Sequence, residues 1–390
     1  MKKTSSAFLL FLILFTGCAE KPKSVGNGLP NPDGIFSIAD TTFYSMGDTT
    51  YRVAFPTGSG LSNLVGRISS TEEVVSLIQF IPGGAIDSLK GARIDTAEFR
   101  LTVNYQFKPT TLPVSLNIVE VQKSWSQITF TFDSLPSLIF GTKTLGTFSD
   151  SMKFASIVKA LLDTVEVRKW ANSYIDSAAP DFFGFAVQPP TGVTNGVIGF
   201  STFDNFTSFV PQLFIRFTKN GKRDSLTVIT GQDTYASKYT GSTPFSPIMV
   251  RAGFGIRSKL NFDLSALKDK PIVNNATLEL TLDSAASIFG GYSPDTLTAL
   301  LGMSNTIVDR SDSTVFVYGV KKTSIAGVPQ IYAFRLTDIA DRWVRNVLPN
   351  YGLTIRWAAE YGTVEKAVFY SNTNADITKR PKLKMTYAKK

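Results

Sequence analysis

The sequence predicts an all-β protein built as two tandem β-sandwich, jelly-roll-like domains, each carrying a short amphipathic helix. Three observations lead there. Phe is abundant at 30 of 390 residues, and Thr, Ser, Val and Ile dominate the stretches between Gly and Pro, a mixture that suits a pleated, half-buried surface. Apolar and polar residues alternate over runs of roughly four to eight, with turn signals at short intervals between them. The pattern also repeats: the second half of the chain restates the first.

The bulk numbers bound the chemistry. A content of 43% hydrophobic and 18% charged residues is ordinary for a globular chain long enough for two or three domains. With no His and one Cys, there is no Ser-His-Asp or Cys-His nucleophile system, no His-ligated zinc and no intrachain disulfide. The formal charge is +9, and removing Lys2 and Lys3 with the leader leaves 38 basic against 31 acidic residues, or +7. That excess is scattered except in "KRPKLKMTYAKK", where alternation predicts a strand with a basic outer face, either solvated or facing a polyanion.

Taken from the N-terminus, "MKKTSSAFLLFLILFTGCAE" combines a basic start, an apolar run over 7–15 and Thr16-Gly17-Cys18. The run is too short to stay in a bilayer as a spanning helix, so residues 1–17 are expected to be a secretory signal. The stretch resembles a bacterial lipobox, with Phe15 where that pattern most often has Leu. The resemblance implies cleavage before Cys18 and diacylglycerol on its thiol. Residues 18–35, rich in Pro, Gly and Asn, read as a flexible tether off a membrane of the cell envelope, expected to be the outer membrane with its face left open.

Next comes the repeat. "SLIQFIPGGAIDSLKGARIDTAEFRLTV" (76–103) parallels "SKLNFDLSALKDKPIVNNATLELTL" (258–282): a strand ending in Phe80 or Phe262, a polar segment, then Ala97–Leu101 or Ala276–Leu280. "VIGFSTFDNFTSFVPQLFIRFT" (197–218) parallels "AVFYSNTNADITKRPKLKMTY" (367–387), with Pro211 matching Pro381. The expected domains are therefore 36–218 and 226–388, with the polar "KNGKRDS" of 219–225 as linker. Two packed antiparallel sheets would bury alternate positions in each. Jelly-roll topology is expected because carbohydrate-type modules of this size use it.

The stretch "TDIADRWVRNV" places Ile339, Trp343 and Val347 at i, i+4 and i+8, which predicts a short amphipathic helix with Trp343 on its buried face. Asn350-Tyr351-Gly352 is then the turn that launches the next strand. Thr337 and Asp338 stand at the helix start, where Asp338 is expected to cap free N–H groups. In the first half either Trp170 or Leu161 can be aligned with Trp343; choosing Trp170 also matches Thr164 to Thr337.

The strand ending at Asp263-Leu264, the strand at 276–280, Thr337-Asp338-Ile339 leading to Trp343, Asn350-Tyr351-Gly352-Leu353 and the closing Pro381-x-Leu383 together resemble the DNRLRE domain. That family is a β-sandwich module of secreted and surface bacterial proteins. "DTYASKY" (233–239) looks like the opening of such modules. The first half matches more loosely, with Ile81 in place of Asp263. The resemblance implies a class of polysaccharide-binding module, with alginate a named ligand for some members, and no particular site.

Sugar binding needs exposed aromatic rings to stack on pyranose faces and, for an acidic glycan, basic neighbours. The candidates are Tyr235, Tyr239 and Tyr292 with Arg251, Arg257 and Lys259. Arg257 and Lys259 share a face by period-two alternation, and Arg251 joins them if no bulge intervenes at Gly253 and Gly255. The competing reading is a solvated sheet face. The acidic neighbours Glu72-Glu73, Asp309 with Asp312, and Asp338 with Asp341 do not fix two carboxyls across a cleft; Glu72 and Glu73 would point to opposite faces of a strand. No catalytic residue and no enzymatic activity are therefore assigned, with a carboxylate hydrolase kept as a third alternative. No cofactor motif appears. "TFDNFTS" (202–208) and "RSDSTVF" (310–316) offer oxygen ligands of the kind structural calcium uses, or simply turn residues. Expected partners are a membrane through the lipid and a polysaccharide. A structural or adhesive protein contact is the alternative, and nucleic acid is not expected.

Overall fold

A computed structural model describes residues 37–389, apart from 109–112, 195, 206–208, 242–247, 268, 291–295, 307–308 and 323–327. The signal segment 1–17, Cys18, the tether to 35 and Tyr292 lie outside the described residues.

The alternating segments are strands, and the fold is all-β and sandwich-like. After β1 (Ser37–Arg52) come β2 (Ser62–Ser69), β3 (Glu72–Phe80), β4 (Arg93–Phe107), β5 (Val114–Val121), β6 (Phe140–Asp150), β7 (Ile157–Leu161), helix α1 (Thr164–Ile175), β8 (Phe185–Gln188), β9 (Gly196–Ser201), β10 (Gln212–Lys219) and β11 (Lys222–Tyr239). The second series is β12 (Ile248–Arg251), β13 (Ile256–Phe262), β14 (Ile272–Thr281), β15 (Thr296–Gly302), β16 (Ser311–Lys321), β17 (Ile331–Arg335), helix α2 (Thr337–Val344), β18 (Leu353–Trp357), β19 (Lys366–Phe369) and β20 (Lys382–Lys389).

Element by element, the second series repeats the first. β4 lies between β10 and β7 as β14 lies between β20 and β17, while β5 pairs with β6 and β8 as β15 pairs with β16 and β18. The Phe content has its explanation in the first core. Phe80, Phe148 and Phe185 set their rings 5.1–5.6 Å from that of Phe99, mostly edge to face, joining strands of different layers. Leu278, Phe334, Leu260 and Ile355 fill the corresponding space in the second.

Helices α1 and α2 begin at Thr164 and Thr337, and Trp170 and Trp343, both buried, occupy the same position on them. After each comes a left-handed glycine. Gly184 (φ 115°) accepts from Val121 N–H and Gly352 (φ 79°), beside Tyr351, from Gly302 N–H, both at 2.9 Å. The helix starts differ in detail. Asp163 caps α1 by accepting from Val165 N–H at 2.8 Å, whereas Asp338 is not a cap; its carboxylate pairs with Arg342 at 3.1 Å. Nor does α2 reach Val347, which is 61% exposed, because Asn346 turns left-handed (φ 58°) just after the helix ends.

The two series do not separate where the sequence suggests. Residues 219–225 form no linker: Asn220 (φ 53°) and Gly221 (φ 75°) make the turn of a hairpin in which Gln212–Lys219 pairs with Lys222–Ile229. The rest of β11, Thr230–Tyr239, crosses to the other sheet and pairs with β3. The strand expected to open the second domain thus completes the first.

The second sandwich is completed by β1. Ser37–Tyr44 pairs with β20, and Ser45–Arg52 with β13. Both crossings are made at the same bulge. Ser45 N–H donates to Pro381 O and Thr230 N–H to Pro211 O, each at 3.0 Å. The Ser45 hydroxyl donates to Gly47 O and Asn261 O; the Thr230 hydroxyl donates to Gln232 O and Gln79 O. The first of the described strands therefore closes the second sandwich. The compact units are 62–239, and 248–389 joined by 37–52.

Candidate functional site

Arg257 and Lys259 do share the outer face of β13, but that face is not solvated. Arg257 is 9% and Lys259 4% exposed. Glu360, itself buried, takes the Arg257 guanidinium side-on, with Nε donating to Oε1 at 2.9 Å and Nη2 to Oε2 at 2.7 Å. Burial alone would lower the Arg257 pKa; the Glu360 carboxylate outweighs it and raises it. The Lys259 ammonium donates to Ser304 O, and its pKa is lowered by burial. Tyr235 is buried on β11, its hydroxyl donating to Tyr361 O at 2.9 Å. Neither an exposed sugar site nor a solvated face describes these side chains.

Arg251 belongs elsewhere. Gly253 and Gly255, both with positive φ, turn the chain between β12 and β13, and a Cβ on Gly253 would meet Thr363 O at 2.6 Å. This close approach puts Arg251 into the junction between the two sandwiches, where its Nη1 bonds the carboxylate of Glu72. Glu72 and Glu73 do point apart, since Glu73 is bound by Arg67.

Polar and apolar groups alternate across that junction. Tyr105 of β4 donates to Glu365 Oε1 at 2.9 Å and accepts from Val364 N–H at 3.1 Å; burial, then the Glu365 charge, raises its pKa. Leu64, Val74 and Phe107 of the first sandwich meet Phe254, Ile256 and Val364 of the second. Arg52, ending β1, donates to Phe254 O at 2.9 Å and Ser237 O at 2.8 Å, and burial lowers its pKa to about 10. Of the residues chosen as a basic binding patch, Arg251 joins the two sandwiches, while Arg257 and Lys259 are held within the second.

Tyr239, by contrast, lines a cavity. At the end of β11, it borders a cleft of about 660 Å³ with Lys238, Arg52, Glu73, Phe132 and Phe140. Phe132 belongs to a short 3₁₀ helix, Phe132–Ser137, laid over the outer faces of β3 and β11; the Arg52 guanidinium stacks on its ring at 3.4 Å. Lys238, opposite Glu73 in the strand register, is exposed. Sequence reasoning missed Phe132, Arg52 and Lys238. The signal was the "TFDSLPS" segment, a capped turn interrupting the strand pattern with an aromatic residue at its head.

A further buried acid stands at the β11 bulge. Asp233 is 1% exposed and accepts from Phe203 N–H at 2.7 Å; burial raises its pKa from 3.8 to about 7, with the Asp204 charge adding to it. An acid raised on folding keeps its proton in the folded state at pH values where the unfolded chain has lost it. Its contribution is complete below about pH 4 and is lost as pH rises to about 7. Without divalent cations, urea midpoints measured from pH 4 to 8 should therefore fall over that window. Asp233→Asn should flatten the fall, and an unchanged slope in the variant would refute the assignment.

Compared with family models, with curated proteins and with solved structures, the chain finds no match in any of the three.

Proposed function

We propose that this is a non-catalytic lipoprotein of the cell envelope, held through Cys18, whose paired sandwiches bind polysaccharide in the cleft beside Tyr239. The observation that carries the reading is the cleft itself. Its volume of about 660 Å³ is bordered by the aromatic residues Tyr239, Phe132 and Phe140, with Lys238 among the lining residues. Apolar ring faces suit the C–H faces of pyranoses, and an ammonium suits the carboxylates of an acidic glycan. The resemblance to DNRLRE modules supports the same class of ligand. Of the two carboxylates lining the cleft, Glu73 is engaged by Arg67 Nε at 2.8 Å and by its Nη2, which favours binding over hydrolysis.

The test is a glycan array probed with the soluble body, residues 26–390, including alginate and pectin. Binding is expected, and Tyr239→Ala or Lys238→Ala should each weaken it about tenfold, or about 1.4 kcal/mol, with the exposed Lys238→Ala leaving the denaturant midpoint in place. Failure of the wild-type body to bind any glycan would sink the reading. A stable protein partner crosslinked in native membranes would favour the structural or adhesive alternative.

A further inference from the structure

We propose that Asp233 and Asp204 form a calcium site in the first sandwich, at the bulge where β11 passes from one sheet to the other. Asp233 uses one carboxylate oxygen, Oδ2, to hold Phe203 N–H; its Oδ1 is buried and has no hydrogen-bond partner among the described residues. The next residue along the loop, Asp204, also buries an oxygen, Oδ2, that has no partner. Two neighbouring carboxylate oxygens withdrawn from water, each without a donor, carry a desolvation cost that no contact among the described residues offsets.

The second sandwich supplies the control. There Asp48 stands at the equivalent place after the bulge, and its Oδ2 accepts from Asn372 N–H at 2.8 Å. The loops also match, since Asn205 N–H donates to Thr202 O and Asn374 N–H to Ser371 O, each at 3.2 Å. That alignment puts Thr373 at the position of Asp204. One aspartate thus suffices to clamp the loop to the strand, and Asp48 does so half-buried. The second carboxylate of the first sandwich is surplus to the clamp, and a cation between the pair explains it.

All donors at the site are oxygens. Among the described residues no three acidic side chains gather, so the remaining ligands are neutral: Gln127 Oε1, which already faces Asp233 N–H at 3.2 Å, loop carbonyls and water. An irregular all-oxygen shell from loops suits calcium, which tolerates variable coordination, better than magnesium, which demands an octahedron. Two carboxylates place the affinity in the range of extracellular modules, about 10⁻⁴–10⁻³ M.

Isothermal titration with calcium chloride on residues 26–390, with melting curves in chelator and in millimolar calcium, tests this. One site per chain and a rise in Tm of about 2–4 °C are expected. Asp204→Asn, a substitution on a half-buried loop position, should abolish both, while Asp48→Asn should leave both intact. The proposal is overturned by wild-type protein that shows neither heat nor shift, or by a shift that survives in Asp204→Asn. An equal response to magnesium would overturn the assignment to calcium.

Discussion

Deletion of residues 37–52 is expected to unfold the second sandwich while the first stays folded. β1 is hydrogen-bonded to both β20 and β13, so its loss opens two edges at once and exposes the inner faces of Leu260, Leu278 and Leu383. The first sandwich keeps its closing strand, because β11 is continuous with β10 through the Asn220-Gly221 turn. Hydrogen exchange read by segment separates the two: amides of β13, β14 and β20 should lose protection, and those of β3, β4 and β10 should retain it.

A circular permutant makes the argument sharper. Lys219 faces Lys222 across the β10–β11 turn, and Lys389 faces Ser37 at the open end of the β20–β1 pair. The strands also have matching lengths: eight positions separate Lys219 from Pro211 and Lys389 from Pro381, and eight separate Lys222 from Thr230 and Ser37 from Ser45. Moving 37–52 behind Lys389 through an Asn-Gly turn should therefore restore protection to β13 and β20. If the deletion left those amides protected, or the permutant failed to restore them, the closing role of β1 would be wrong.

How much of this was legible follows from the range of each signal. The duplication could be read because Trp170 with Thr164 and Trp343 with Thr337 keep their spacing, and Pro211 and Pro381 keep theirs. Which sandwich a strand joins could not be read, since alternation is local and pairing is not. Asn220-Gly221 even carried the correct short-range signal, a hairpin turn, within a segment expected to be a linker. The same limit applies to the basic residues. Alternation placed Arg257 and Lys259 on one face, yet whether that face is covered depends on Glu360 and Ser304, far along the chain. Tyr239 was legible as an aromatic near a strand end, but the ring of Phe132 that makes a cleft of it arrives from another loop.

The second large effect concerns the charge pair between the sandwiches. Arg251 is 1% exposed, its guanidinium lies 4.6 Å from the centre of the Phe254 ring, and its Nε and Nη2 have no hydrogen-bond partner. Burial lowers its pKa, and Glu72 is the largest influence acting the other way. Glu72→Ala would leave a buried cation without its acid, at a cost of about 3–5 kcal/mol. Because Glu72 sits on β3 and Arg251 on β12, the loss falls on the junction, and urea unfolding should split from one transition into two as the sandwiches uncouple. The pair itself is worth less than its rupture. Replacing both partners with apolar residues, Glu72→Leu with Arg251→Met, removes the desolvation cost together with the attraction, and should return most of the stability lost by Glu72→Ala. A Glu72→Ala protein that unfolded in one transition within about 1 kcal/mol of wild type would mean that Leu64, Phe107, Phe254 and their neighbours hold the sandwiches together unaided. A double variant as unstable as the single one would instead mean that the ion pair, and not its desolvation, sets the strength of the junction.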